Sequence, residues 1–233
     1  MTSKPKKQIG VPPADVVLNA PWATALSDEL RRRVVEETTI REVSSGGFVC
    51  RKGQLAEHWI GIVSGLVKVS SVSPQGKSTT FIGVPSGGWF GEGSLLKNEL
   101  RRYDAIALRP SVIAYIPRNT FFLLLDTNVH FNRFLLIQLN ERLGQFVAIV
   151  EHQRFLAPDA RVAAELAALF NPVLYPGNQS TLPISQEELG PLLGLSRQRV
   201  NSALQHLERA GLLHVDYGGV TVRDLQGLRD YGR

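Results

Sequence analysis

The residues best placed to do chemistry lie between Ile184 and Ala210, in the segment ISQEELGPLLGLSRQRVNSALQHLERA. Arg197, Gln198, Arg199, Asn201, Ser202 and Gln205 are crowded into one short run there. Val200, Ala203, Leu204 and Leu207 interleave with them at the i, i+3, i+4, i+7 spacing of one helical face. At about 100° per residue, Gln198, Ser202, Gln205 and Arg209 point away from that apolar row. Arg, Gln and Asn offer paired hydrogen bonds to base edges, and Ser reaches bases or phosphates. The chemistry this pattern suits is groove reading, not bond breaking. The expected contact set is Ser185, Ser196, Arg197, Gln198, Arg199, Asn201, Ser202 and Gln205.

Such a face needs a support, and the flanking residues provide one. Ser185 with Glu188 forms the signature of a capping box, and Ile184 with Leu189 can staple that start. Leu189, Leu192 and Leu193 give a first helix its apolar stripe, and Gly194 suits the left-handed position that ends it. Ser196 caps the second helix, and Gly211 closes it. Pro191 fits poorly, because inside a helix it lacks a donor and crowds the preceding turn. It predicts a kink or a helix of barely two turns. Leu212–Tyr217 and Val220–Arg223 are β-prone runs joined by Gly218-Gly219, a strong hairpin signal. A hairpin directly after a recognition-type helix makes a winged helix-turn-helix.

The chain has 233 residues, enough for one large or two ordinary domains. No apolar run approaches the ~18–20 residues of a membrane span, and the lysine-bearing start lacks the apolar core of a secretory signal. A cytoplasmic protein with no membrane partner is expected. The single cysteine, Cys50, excludes an internal disulfide and a cysteine-ligated iron–sulfur cluster within one chain. It reads as a small buried hydrophobe. The net charge is +5, yet from Pro158 onward seven Arg stand against eight Asp or Glu, which is 7 − 8 = −1. DNA binding must rest on a few placed arginines, doubled in a dimer. No HExxH, nucleophile elbow, Walker loop or paired-cysteine motif occurs, and His58, His130, His152, His206 and His214 are scattered. An enzyme is not expected, and catalytic and metal sites are read as none. Gly91-Glu92-Gly93-Ser94 half-resembles a dinucleotide turn, but no strand–helix unit with a third glycine follows.

Residues 1–20 are polar and proline-containing, and read as a flexible N-terminus. Leu26–Glu37 predicts a short helix capped by Ser27. Residues 21–118 form the expected effector domain. Its β-prone runs are HWIGIV, LVKVSSV, STTFIGV, YDAIAL and SVIAYI, and eleven of the 21 glycines fall between Gly46 and Gly93. That spacing indicates a sandwich or small barrel. Residues 119–156 carry a broad apolar stripe and predict a long helix of ~25 residues, about 37 Å. Its exposed seam predicts a partner helix, most simply its own copy. Pro158 marks the hinge to a DNA-binding domain at 157–233.

The order of these parts resembles the catabolite-activator/Fnr (Crp/Fnr) family of bacterial transcription regulators. Four segments carry the resemblance: Gly65–Val69, Trp89–Glu92, Arg154–Ala163 and Gly194–Asn201. It implies an α+β fold with an N-terminal double-stranded β-roll (a cyclic-nucleotide-binding-like jelly roll), a long central dimerisation helix and a C-terminal winged helix-turn-helix. It also implies a homodimer on a palindromic double-stranded DNA operator, contact with RNA polymerase, and a small effector in the β-roll. The residues that match the effector site are Gly91, Glu92, Gly93, Ser94, Arg102, Tyr103, Arg142 and Phe146.

In cyclic-AMP-binding relatives the Gly-Glu pair is followed by Arg-Ser or Arg-Thr. Here Arg102 matches, but Tyr103 replaces the small hydroxyl, and Phe146 and Val147 stand where a Thr-Ser pair meets adenine. Cyclic AMP in the usual pose is therefore not expected. Another nucleotide such as cyclic di-GMP, an anionic or aromatic metabolite, or no effector remain open. Glu92 could instead pair with Arg102 or Arg142. Haem held by a histidine or Cys50, and an effector-independent dimer, are the rival regulators. In the family's S-R-x-x-V-x-R reader, Arg197 matches the first arginine, Gln198 replaces a frequent Glu, and Ser202 replaces the second arginine.

Overall fold

The structure is a computed structural model that describes residues 11–177, 180–216 and 219–232. It begins with α1 (Pro13–Leu18), a 3-10 turn (Pro21–Ala23) and α2 (Asp28–Glu37). Ser27 caps α2 by accepting from the Leu30 N–H at 3.3 Å, as the sequence predicts. The expectation of a flexible stretch to residue 20 is corrected over its second half. Val17, Ala20 and Trp22 are buried, so apolar packing pins this segment. Residues 1–10 lie outside the described residues.

The strands β1 (Thr39–Val43), β2 (Phe48–Cys50), β3 (His58–Ser64), β4 (Leu66–Val72), β5 (Ser78–Pro85), β6 (Trp89–Phe90), β7 (Asp104–Ala107) and β8 (Ser111–Pro117) follow. They form two antiparallel four-stranded sheets, ordered β1-β8-β3-β6 and β2-β7-β4-β5. A short helix, α3 (Glu92–Leu96), comes after β6. Val67, Val69, Ile82, Val84, Ile60, Ile113 and Phe90 pack between the sheets. This is the expected β-roll.

The stretch 119–156 is two helices, not one. α4 (Arg118–Thr127) ends at Asn128, whose side chain then caps α5 (Val129–Phe155) by accepting from the Phe131 N–H at 2.8 Å. α5 has 27 residues and so runs about 40 Å. Its first half is anchored by aromatic packing, with Phe131 edge-on to Trp22, Trp59 and Phe121 at 5.4–5.9 Å.

Leu156 and Ala157 are extended, and Pro158 opens α6 (Pro158–Ala168) where its missing N–H costs nothing. The rest comprises β9 (Thr181–Leu182), α7 (Gln186–Leu193), α8 (Arg197–Arg209), β10 (Leu213–Asp216), β11 (Gly219–Val222) and α9 (Leu225–Asp230). β10 and β11 pair as the expected hairpin, and β9 adds a third strand that the sequence does not announce. Tyr217 and Gly218, which belong to the expected hairpin, lie outside the described residues.

The C-terminal core reaches into the β-roll. Leu66 is buried within it, and Leu108 packs against it. Gly83 on β5 lies so close to α7 that a Cβ there would come within 2.6 Å of a Leu192 methyl. Thr80 donates to the Pro191 carbonyl at 2.6 Å. Arg109 donates to both carboxylate oxygens of Glu188 at 2.9 Å. The C-terminal domain is thus docked on β5 through α7.

Candidate functional site

α8 is braced before it presents anything to a partner. Val200, Ala203, Leu204 and Leu207 are buried in the domain core. Ser196 caps the helix by accepting from the Arg199 N–H at 3.3 Å. His206 meets Asp159 of α6 at 2.6 Å. Glu208 accepts from the Val215 N–H at 3.0 Å and lies 2.8 Å from the His214 ring. These bonds from Val215 and His214 hold the Glu208 carboxyl below the usual carboxylate range. The wing and the helix are therefore tied together.

α7 has the full capping box. Ser185 Oγ accepts from the Glu188 N–H at 3.2 Å, and Glu188 accepts from the Ser185 N–H at 2.7 Å. Burial works against the Glu188 charge, but bonds from Arg109 and Ser185 win and keep its carboxyl low. Gly194 ends α7 in the left-handed region, with φ 63°. Pro191 sits inside this helix, which runs eight residues, so the short-helix alternative holds.

Arg197, Gln198, Arg199, Ser202 and Gln205 are all exposed, side by side on α8. Asn201 is half-buried, and its Oδ1 is buried without a hydrogen-bond partner among the described residues. Ser185 and Ser196 spend their hydroxyls as cap acceptors, which limits them as direct base readers. What the helix offers is a short row of guanidinium, amide and hydroxyl groups on a rigid support.

At the second candidate site the sequence expectation needs correction. Arg102 is not the inward arginine. It is exposed and forms a two-point pair with Glu99 at 2.7 and 3.0 Å. The alternative Glu92–Arg102 pair does not form, because Arg102 is taken by Glu99. Arg101 points inward instead, 3% exposed, donating to the carbonyls of Gly91, at 2.8 Å, and His58. Gly91 has φ 95°, and a Cβ there would collide with the Arg101 guanidinium. Tyr103 packs among the residues between the sheets, 6.4 Å from the Phe90 ring. Burial, reinforced by the nearby Glu92, pushes its phenol up.

Glu92 Oε2 is buried and has no hydrogen-bond partner among the described residues. Arg142 does not take it. It donates to the Tyr175 hydroxyl at 2.8 Å, to Gln145 at 3.3 Å and to the Trp89 carbonyl at 3.2 Å. Phe146 lies 38% exposed on α5. Gly93 and Ser94 belong to α3. Glu92 and Arg142 thus both lie near Tyr103, while Arg102 pairs with Glu99 at the surface. The residues the sequence reading missed are Arg101 and Tyr175.

Cys50 and His58 share a cleft of about 400 Å³ with Arg41, Arg101 and Tyr115. Burial pushes the Cys50 thiol up and the His58 imidazole down. A thiol held in that direction is a poor thiolate donor or redox sensor. No group of three or more metal-ligating side chains occurs among the described residues, and no described helix is long and apolar enough to cross a membrane.

Two family models match this chain. The cyclic nucleotide-binding domain covers residues 40–128, and the Crp-like helix-turn-helix domain covers residues 160–231. The chain is 28% identical over 172 residues to the transcriptional regulator SdrP of Thermus thermophilus, covering 72% of this chain and 81% of that one. It is 27% identical over 157 residues to the cAMP-activated global transcriptional regulator CRP of Haemophilus influenzae, covering 66% and 70%. The fold of FixK2 from Bradyrhizobium japonicum superposes with a TM-score of 0.69 at 18% identity, over 84% of this chain and 98% of that one. SdrP and CRP are transcriptional regulators, not enzymes. Matches to the cyclic nucleotide-binding domain and to the Crp-like helix-turn-helix domain in one chain, joined by a long central helix, make this protein a member of the Crp/Fnr family of transcription regulators.

Proposed function

We propose that the protein is a homodimeric, effector-responsive regulator that reads a palindromic operator with α8 and acts in the cytoplasm with RNA polymerase. The observation that carries the DNA reading is the exposed row Arg197, Gln198, Arg199, Ser202 and Gln205 on a helix braced by core, cap and wing. Arg197 takes a guanine edge in this reading, and Gln198 and Ser202 give the half-site its own preference. Ser185, Ser196 and Asn201 serve as supports and phosphate neighbours.

Dimerisation rests on α5. Val129, Leu136, Leu143 and Val150 are each at least half exposed and recur every seventh residue. Leu139 and Phe146 fall between them at the other seam position of the heptad. A second copy of α5 is the simplest cover for that row, and it doubles the few arginines that a domain of charge −1 can bring to DNA.

For the effector, the inward groups favour a small organic anion carrying a hydroxyl. Arg142 supplies the cation, and the unpartnered Glu92 oxygen supplies an acceptor. The usual cyclic-AMP pose fits poorly, because Arg102 faces outward and Tyr103 is bulky. The test is selection of duplexes from a random library by the purified protein. Inverted repeats with half-site centres ~10–10.5 bp apart, or a multiple of that spacing, are expected. Enrichment of single, asymmetric sites would contradict the dimeric reading.

A further inference from the structure

Asn171–Gly177, the loop between α6 and β9, enters the β-roll. Leu174 and Tyr175 are each 1% exposed and belong to the apolar cluster between the two sheets, not to the core of their own domain. The loop is tied down along its length. Asn171 Oδ1 accepts from the N–H groups of Val173 and Leu174 at 2.9 Å, and its amide donates to Glu141 at 3.2 Å. Gln138 donates to the Val173 carbonyl. The Tyr175 hydroxyl donates to the Gly83 carbonyl at 3.0 Å and accepts from Arg142 at 2.8 Å. Its ring lies against Gly88, where a Cβ would come within 3.0 Å of it.

These contacts join three parts of the molecule at one phenol: the effector-domain strand β5, the central helix α5, and a loop of the DNA-binding domain. They also settle where Arg142 goes. Its guanidinium serves Tyr175 and Trp89, while the buried Glu92 oxygen is left without a partner. A buried carboxylate oxygen without a partner is costly. The arrangement therefore has a competitor built in, because a ligand that offers Arg142 an anion and Glu92 a hydroxyl satisfies both groups at once.

We propose that Tyr175 is an internal occupant of the effector site, so that an effector gains Arg142 only by expelling Tyr175 and thereby loosens the DNA-binding domain from the β-roll. This rests on the effector reading above and specifies its regulation. The consequence is reciprocal: whatever holds the loop in place weakens the effector, and the effector weakens the loop's hold. Occupancy of the site by Tyr175 for nine-tenths of the time weakens an effector about tenfold.

Full-length wild type, Tyr175→Phe and Tyr175→Ala test this. Hydrogen exchange without ligand is read over residues 171–177 and 83–88, with Trp59–Val63 of β3 as an internal control for folding. Tyr175→Ala is expected to speed exchange in both segments at least tenfold and leave the control unchanged. Tyr175→Phe, which keeps the ring and frees Arg142, is expected to fall between. Unchanged exchange in both variants overturns the proposal.

Cyclic AMP and cyclic di-GMP are then titrated calorimetrically into the same three proteins. A nucleotide that binds should bind Tyr175→Ala about tenfold more tightly than wild type, and equal affinity overturns the proposal. Should neither bind any of the three, the nucleotide reading of the effector fails, and the exchange result alone decides the role of Tyr175.

Discussion

Glu188 does two jobs, and removing it should cost more than either job alone. Its carboxylate closes the α7 capping box on the Ser185 N–H, and it accepts two bonds from Arg109 across the domain boundary. The Arg109 and Glu188 side chains are 24% and 15% exposed, so solvent screens the pair only in part. A cap is worth about 1 kcal/mol, and a two-point, half-buried ion pair about 1–2 kcal/mol. Glu188→Ala is therefore expected to destabilise by about 2–3 kcal/mol. Arg109→Ala, which spares the cap, should cost about 1–2 kcal/mol.

The double variant isolates the pair, with an expected coupling of about 1–2 kcal/mol. Urea unfolding followed by far-UV circular dichroism at pH 7 provides the free energies. The coupling should also be pH-dependent. Because the folded protein holds the Glu188 carboxyl below its ordinary range, its contribution is full above that ordinary range and is lost as the pH falls through the folded value. A coupling below about 0.3 kcal/mol at pH 7 would refute an energetically significant contact between α7 and the β-roll.

Other perturbations follow from the same geometry. Burial pushes the Glu165 carboxyl from its ordinary 4.5 up to about 7, with Arg161 pulling the other way. The folded state keeps a proton that the unfolded chain releases, so stability falls as pH rises between these values. Glu165→Gln should therefore gain up to about 2–3 kcal/mol over wild type at pH 8 and nothing at pH 4; equal midpoint shifts at both would contradict the burial argument. Leu143→Lys places a charge in the proposed α5 seam, where Leu143 is 62% exposed in the single chain. It should weaken the dimer by about 3 kcal/mol or more, since two copies of the side chain are lost. Sedimentation equilibrium reads this directly, and an unchanged dimer would move the interface elsewhere.

The helix-turn-helix was legible because its signals are local. Caps at Ser185 and Ser196, the left-handed Gly194 and the Val200–Leu207 row all act within a few residues of themselves. The β-runs at 58–63, 66–72, 78–84 and 111–116 were likewise readable from composition and turns. The effector side was harder for a physical reason. Arg101 and Arg102 lie in the irregular stretch just before β7, where no helical or strand period fixes direction, so spacing from Gly91 cannot say which of them turns inward. Register decides it: Gly53 and Gln54 fix the Arg101 backbone through bonds at 2.8 Å each. Tyr175 was invisible for another reason. Its partners are 30 or more residues away in sequence, and its own NPVLYPG segment reads only as a loop. The break at Asn128 has no Pro or Gly to announce it and is made by a side-chain cap.

The most direct test of the account is a pair of titrations on the selected operator and on a scrambled duplex of equal length, at fixed salt. Wild type should prefer the operator by about 10³-fold or more. Arg197→Ala should lose about 1–3 kcal/mol on the operator and much less on the scrambled duplex. An equal loss on both would make Arg197 a phosphate contact, and no loss on either would contradict the assignment of α8 as the sequence reader.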